Sequence, residues 1–214
     1  MDRHNVIQSA ERYVRQELES DPSGHDWWHI DRVRKLALEL AEREQADVYI
    51  CELAALLHDI ADVKLNESKQ AGLDKVHRWL TAHVTEHEII DVVMEIIGTM
   101  SYNGGSNPPM QTREGQVVQD ADRLDAMGAI GIARTFAYGG SRGRIMHDPE
   151  SNSGDATLAH FYDKLLKLKD LMNTAYAKEL AQSRHEFMEA YLRQFYLECG
   201  VGSTPKEKGD RGVQ

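Results

Sequence analysis

Apolar residues in this chain recur at i, i+3, i+4 and i+7, the spacing that lines one face of an α-helix, while strict apolar–polar alternation over strand length is hard to find. The pattern predicts an all-α fold. Val6, Ala10, Tyr13, Val14 and Leu18 form a first stripe, which ends before the turn signal Asp21-Pro22-Ser23-Gly24. A second helix is expected from about Asp26 to Glu44, where Ile30, Val33, Leu36, Ala37, Leu40 and Ala41 keep the period. Asp47 should cap a third helix that carries Leu53, Leu56 and Leu57 up to His58-Asp59. Further helices are expected at about 68–83, 85–99, 114–137 with a break near Asp125, 157–170 and 173–199. The total is about eight to ten helices, forming one bundle over residues 1–199.

Between these segments, 101–109 and 138–154 are rich in Gly, Asn and Pro and are expected to be loops bordering a pocket. Residues 200–214 carry Gly and charge with little apolar content and are expected to form a mobile tail. The chain's 214 residues suit a single domain, and 41% hydrophobic with 28% charged residues excludes wholesale disorder. A net charge of −10 argues against a nucleic-acid polymer as partner, because affinity for a phosphate backbone rests on a basic surface. The N-terminus lacks an apolar leader, and no run of about 18 apolar residues occurs, so no membrane partner and a cytoplasmic location are expected. Of the two cysteines, Cys51 lies in an apolar run and is expected to be a buried free thiol; no CxxC pair suggests a zinc knuckle.

The most pointed local feature is His58-Asp59 at the end of the apolar run Leu56-Leu57-His58-Asp59-Ile60-Ala61-Asp62. Such polar groups are seldom buried unless paired or bound to metal. A bland alternative is a histidine on a helix dipole beside a solvated carboxylate. The pair gains weight beside His29, early in the second helix, and Asp122, in Val118-Gln119-Asp120-Ala121-Asp122-Arg123-Leu124-Asp125. Two imidazoles and two carboxylates suit Mn²⁺, Fe²⁺, Mg²⁺, Co²⁺, Ni²⁺ or Zn²⁺, and four protein ligands on an octahedral ion leave two positions for water or substrate.

These residues resemble the H…HD…D signature of the HD-domain metal-dependent phosphohydrolases. Gly24-His25-Asp26-Trp27-Trp28-His29-Ile30-Asp31-Arg32-Val33, Leu57-His58-Asp59-Ile60-Ala61-Asp62 and the stretch from Val118 to Gly131 are similar to the small YpgQ/YedJ-like bacterial branch, over roughly residues 5–198. The resemblance implies an HD-type helical bundle in which His29, His58, Asp59 and Asp122 bind one divalent ion, manganese being favoured. His29 matches the first ligand better than His25, because it alone stands three residues before an Arg and four before a Val. A histidine found in several relatives is replaced at Thr99-Met100-Ser101-Tyr102, so a single metal is expected; His77, His83 and His87 remain remote second-site candidates.

Around this set, Asp62 lies four residues after His58 and is expected on the same helical face; the resemblance implies a general acid/base role for it, and Lys64 could offset phosphate charge. Asp26, one turn before His29, would either fix the imidazole tautomer from behind the metal or cap the helix. Arg32 and Arg123 are candidates for substrate phosphate, with bridging of carboxylates as the alternative for Arg32. Arg142 and Arg144 sit in a basic glycine-rich stretch that could close over phosphates. Asp120 could cap or solvate a helix, and Asp125 could begin the next helix as its N-cap. Trp27 and Trp28 could stack on a base, although core positions suit them better, and His160 and His185 read as surface or partly buried.

With no P-loop, serine elbow or cysteine–histidine pair, direct attack by a metal-activated water is the expected chemistry. The resemblance points to nucleoside or deoxynucleoside triphosphates cleaved to monophosphate and pyrophosphate. The alternatives are a nucleoside 5′-monophosphate phosphatase and a non-catalytic metal- or nucleotide-binding sensor. A homodimer is left open.

Overall fold

The computed structural model describes residues 2–18, 26–63, 65–101, 107, 109–149 and 156–200. Among them there is no β-strand, and nine α-helices form an HD-type bundle. They are α1 (Arg3–Leu18), α2 (Trp27–Glu44), α3 (Val48–Leu57), α4 (Lys69–His83), α5 (His87–Thr99), α6 (Arg113–Asp125), α7 (Gly128–Ser141), α8 (Ala159–Asp163) and α9 (Ala175–Glu198). Also among the described residues are two 3₁₀ segments, His58–Ala61 and Leu165–Leu171.

Helix α3 is the centre of the packing. Its residues Leu53 to Leu57 are all fully buried, and it packs on α1, α2, α5 and α6. A stretch apolar all round must be enclosed on every side, as Leu53 to Leu57 are, and each buried leucine contributes roughly 1.5–3 kcal/mol. Asp47 caps it as expected, accepting from the amides of Tyr49 and Ile50. The consequence for function is positional: whatever follows Leu57 is delivered into the interior.

The chain tightens at that point. The α-helix ends at Leu57 and His58–Ala61 form a 3₁₀ turn, with the Asp62 amide donating to the Asp59 carbonyl. The expectation that Asp62 shares an α-helical face with His58 is therefore corrected: Asp62 is already extended, at ψ 138°. Asn66 Nδ2 donates to the carbonyls of Ile60 and Asp62 and closes the turn. From the other side α4 comes so near that a Cβ on Gly72 would lie 2.7 Å from the Ala61 carbonyl oxygen. Only glycine fits that approach.

Other boundaries differ from the sequence reading for local reasons. Helix α7 continues through Tyr138-Gly139-Gly140 to Ser141, where a loop was expected. Gly139 lies inside the fold, and a Cβ there would collide with the Thr157 side chain, so close packing rather than chain reversal explains the glycine. The helix expected at 157–170 is divided, because Lys164 adopts φ −135°, ψ −60° between α8 and the second 3₁₀ segment. Asp120 is buried and accepts from the amides of Asn173 and Thr174, from Thr174 Oγ1 and from Asn173 Nδ2, thereby holding the start of α9. Trp27 is buried while Trp28 is exposed, Cys51 is a buried free thiol, and His185 is buried rather than superficial. The expected tail, apart from Gly200, and residues 102–106, 108 and 150–154 of the expected loops lie outside the described residues. Among the described residues, no helix is long and apolar enough to cross a membrane.

Candidate metal centre

Three elements that are distant in sequence meet at one end of α3: the first turn of α2, the 3₁₀ turn after α3, and the last turn of α6. Asp26 is the N-cap of α2, and its carboxylate accepts from the His29 amide, which fixes where that first turn starts. His29 is completely buried. Its Nε2 lies 3.3 Å from His58 Nε2, 3.4 Å from Asp59 Oδ2 and 3.5 Å from Asp122 Oδ1. His58 Nε2 is in turn 3.3 Å from Asp59 Oδ1 and 3.9 Å from Asp122 Oδ1. His29, His58 and Asp59 thus place ligand atoms within 4.8 Å of one another, and Asp122 Oδ1 approaches the set through the two imidazole Nε2 atoms.

The tautomers strengthen the case for a cation. His58 Nδ1 donates to the Ala55 carbonyl at 2.8 Å, and His29 Nδ1 donates to Asp125 Oδ2 at 2.7 Å. With both Nδ1 atoms engaged as donors, the neutral rings turn two Nε2 lone pairs toward each other and toward two carboxylates. Such facing acceptors repel unless a proton or a metal ion lies between them. Neighbouring ligands of an octahedral divalent ion stand about 3 Å apart, and the observed spacings are close to that. His29, His58 and Asp59 form the only such cluster of potential ligands among the described residues, which leaves His77, His83 and His87 outside it.

Behind the candidate ligands the structure decides between the two alternatives for Asp26: it takes the capping one. The carboxylate that orients His29 is Asp125, which is the last residue of α6 and not the cap of α7, a position held by Met127. Asp125 also accepts from Arg32 Nε at 2.6 Å, Arg32 Nη2 at 3.1 Å and Arg134 Nη1 at 2.7 Å. Burial by itself would raise the Asp125 pKa, but the hydrogen bonds from His29 and Arg32 and the charge of Arg134 hold it well below the usual carboxylate range. Burial would likewise lower the His29 pKa; hydrogen bonds to Asp125 and Asp59 outweigh it, and the ring is pushed up to about 9 in the metal-free protein. Arg32 thus takes its carboxylate-bridging alternative.

Exposure shows where the site opens. The side chains of His29, His58 and Asp59 are 0%, 4% and 10% exposed, against 36% for Asp122, so the approach is over Asp122. There a cavity of about 420 Å³ is lined by His58, Asp59, Asp62, Met100, Asp122 and Lys164. Its volume suits a small ligand. Lys164 and Asp125 escaped the sequence reading; the one-turn spacing of Asp122 and Asp125 was a signal for the second, and nothing local marked the first. Arg123 points elsewhere, donating to the Leu171 carbonyl. Arg142 lies over the Tyr138 ring, and Arg144 lines a neighbouring cavity. Lys64 and His25 lie outside the described residues.

Comparisons with known proteins agree with this geometry. Residues 27–127 match the HD domain model. The chain is 43% identical to YpgQ of Bacillus subtilis over 85% of its length and 88% of that protein's. The crystal structure of B. subtilis YpgQ in complex with ADP is 42% identical, with a TM-score of 0.76 over 90% of this chain and 97% of that one. An HD-superfamily hydrolase from Bacillus thuringiensis is 50% identical, with a TM-score of 0.78 over 93% and 99% of the two chains. Two imidazoles and a carboxylate buried together, the matched signature and these relatives lead to one assignment: the chain belongs to the HD-domain superfamily of metal-dependent phosphohydrolases, in its YpgQ-like group.

Proposed function

We propose that this chain hydrolyses nucleoside or deoxynucleoside triphosphates to the monophosphate and pyrophosphate. The observation that carries this reading is the ligand cluster His29, His58, Asp59 and Asp122 opening, over Asp122, onto a cavity that also presents Asp62 and Lys164. The ADP held by YpgQ supports a nucleotide as occupant. The four side chains would hold one divalent ion, with manganese favoured. When bound, such an ion polarises a phosphoryl oxygen and lowers the pKa of water.

The chain's own residues account for the rest. The Asp62 carboxylate, on the cavity wall, takes a proton from the attacking water as its oxygen joins the α-phosphorus. The bond from that phosphorus to the bridging oxygen breaks, and pyrophosphate departs with the electron pair. Lys164 offsets the negative charge that gathers there. Asp125, held by Arg32 and Arg134, keeps the His29 ring from turning.

The test is product analysis. Protein loaded with Mn²⁺ is incubated with dNTPs, NTPs and nucleoside monophosphates, and pyrophosphate is measured against orthophosphate. Stoichiometric pyrophosphate from triphosphates supports the reading. Orthophosphate from monophosphates alone replaces it with a nucleotidase, and absence of turnover across all three with Mn²⁺, Mg²⁺, Co²⁺ and Ni²⁺ replaces it with a sensor.

A further inference from the structure

A second cavity, of about 290 Å³, lies beside the first between α7 and the segment leading through α8. Its cationic and titratable lining consists of Arg134, Arg144, His160 and Lys164, with no Asp or Glu among its described lining residues. In a chain of net charge −10 that is a local reversal of sign. Lys164 lines both cavities. The backbone explains why: the break at Lys164 ends α8 and turns the chain at the wall the two cavities share. Arg144 is held at this wall because the next two residues, Ile145 and Met146, accept through their carbonyls from the amides of Thr157 and Leu158 at the entrance to α8.

The electrostatics agree with the placement. The His160 pKa is lowered by burial and further by the charges of Lys164 and Arg144, with Asp163 opposing, so two cations face this ring. Arg134 spends one guanidinium nitrogen on Asp125. Tyr138 and Thr157 add hydroxyl-bearing side chains to the lining. Clustered cations with hydroxyls and little negative charge suit a multiply charged oxyanion.

We propose that this second cavity binds the distal phosphates of the polyphosphate substrate, with Arg144 and His160 as specificity-determining contacts and Lys164 at the junction with the metal cavity. The inference rests on the triphosphate reading above and adds a reason for it: a monophosphate would fill the first cavity and leave the second without its ligand.

The experiment compares two affinities on Mn²⁺-loaded protein by calorimetry. One ligand is a non-hydrolysable α,β-methylene deoxynucleoside triphosphate, and the other is the matching deoxynucleoside monophosphate. The wild-type ratio of the two affinities is expected to fall about tenfold or more in Arg144→Ala/His160→Ala, as lost charge-assisted hydrogen bonds imply, while monophosphate affinity holds. An unchanged ratio, or equal weakening of both ligands, overturns the inference. Thermal melting checks the fold, and Arg144→Ala alone, at an exposed side chain, carries the comparison if the double variant does not fold. Pyrophosphate release with an unchanged ratio discards this cavity's role and keeps the function; release of orthophosphate from monophosphates alone discards the triphosphate reading itself.

Discussion

Asp125 Oδ2 lies 2.7 Å from His29 Nδ1, joining side chains 96 positions apart. The contact fixes which imidazole nitrogen faces the metal site. It also ties α6 to α2 through Arg32, and to α7 through Arg134. A single buried carboxylate thus serves both the site and the fold, and the two services can be separated by measurement.

Asp125→Asn is expected to lower metal affinity about 10- to 100-fold, because the amide no longer enforces the His29 tautomer. It also leaves the partly exposed Arg32 and Arg134 facing a neutral group, at a cost of about 1–3 kcal/mol. Asp26→Ala should cost only about 1 kcal/mol through its lost cap and leave metal content near wild type. Metal analysis and thermal melting of the two variants, side by side, check the assignment; equal metal loss in both would favour the tautomer-fixing alternative for Asp26.

In the metal-free protein the His29 pKa is raised to about 9, above its ordinary value of 6.5. The sign follows: its contribution to stability is complete below about 6.5 and fades as pH rises through about 9. A metal ion must displace that proton, so apparent metal affinity is expected to rise roughly tenfold per pH unit between about 7 and 9. Calorimetry at pH 7 in buffers of different ionisation heat should show about one proton released per ion. A pH-independent affinity with no proton release would contradict the His29 assignment.

Asp62→Asn is expected to reduce kcat by about 10²- to 10⁴-fold while metal content stays intact, since the side chain lines the cavity and is not one of the four proposed ligands. His58→Ala and Asp122→Ala should instead lose metal and rate together. Full rate in Asp62→Asn would remove it from the reaction.

Gly72→Ala should act from a distance. Its Cβ would stand 2.7 Å from the Ala61 carbonyl oxygen and 2.8 Å from Asn66 Nδ2, so either α4 or the His58–Ala61 turn must shift. A loss of about 1–3 kcal/mol in stability is expected, accompanied by weaker metal binding. Unchanged melting and metal affinity would show that the turn is not held by this approach.

The order and type of the helices were legible in the sequence because their stripes are long and periodic, as in Val6–Leu18 and Ile30–Ala41, and because Asp47 and Asp26 stand as caps where the stripes begin. The set His29, His58, Asp59 and Asp122 could be named from its signature alone. Its convergence could not, since that depends on Leu53 to Leu57 being enclosed so completely that the turn after them opens inside the bundle. Periodicity also could not register the 3₁₀ tightening after Leu57, which spans only four residues, or the helical Gly139-Gly140, whose composition reads as loop. The partner of His29 was decided by tertiary structure: Asp26 is near in sequence but spends its carboxylate on a backbone amide, whereas Asp125 is brought by the packing of α6 on α2 to the one ring nitrogen that faces away from the metal site. Local chemistry selected the candidate ligands, and long-range packing selected what holds them, because a hydrogen bond to a buried ring can come only from whichever element covers it.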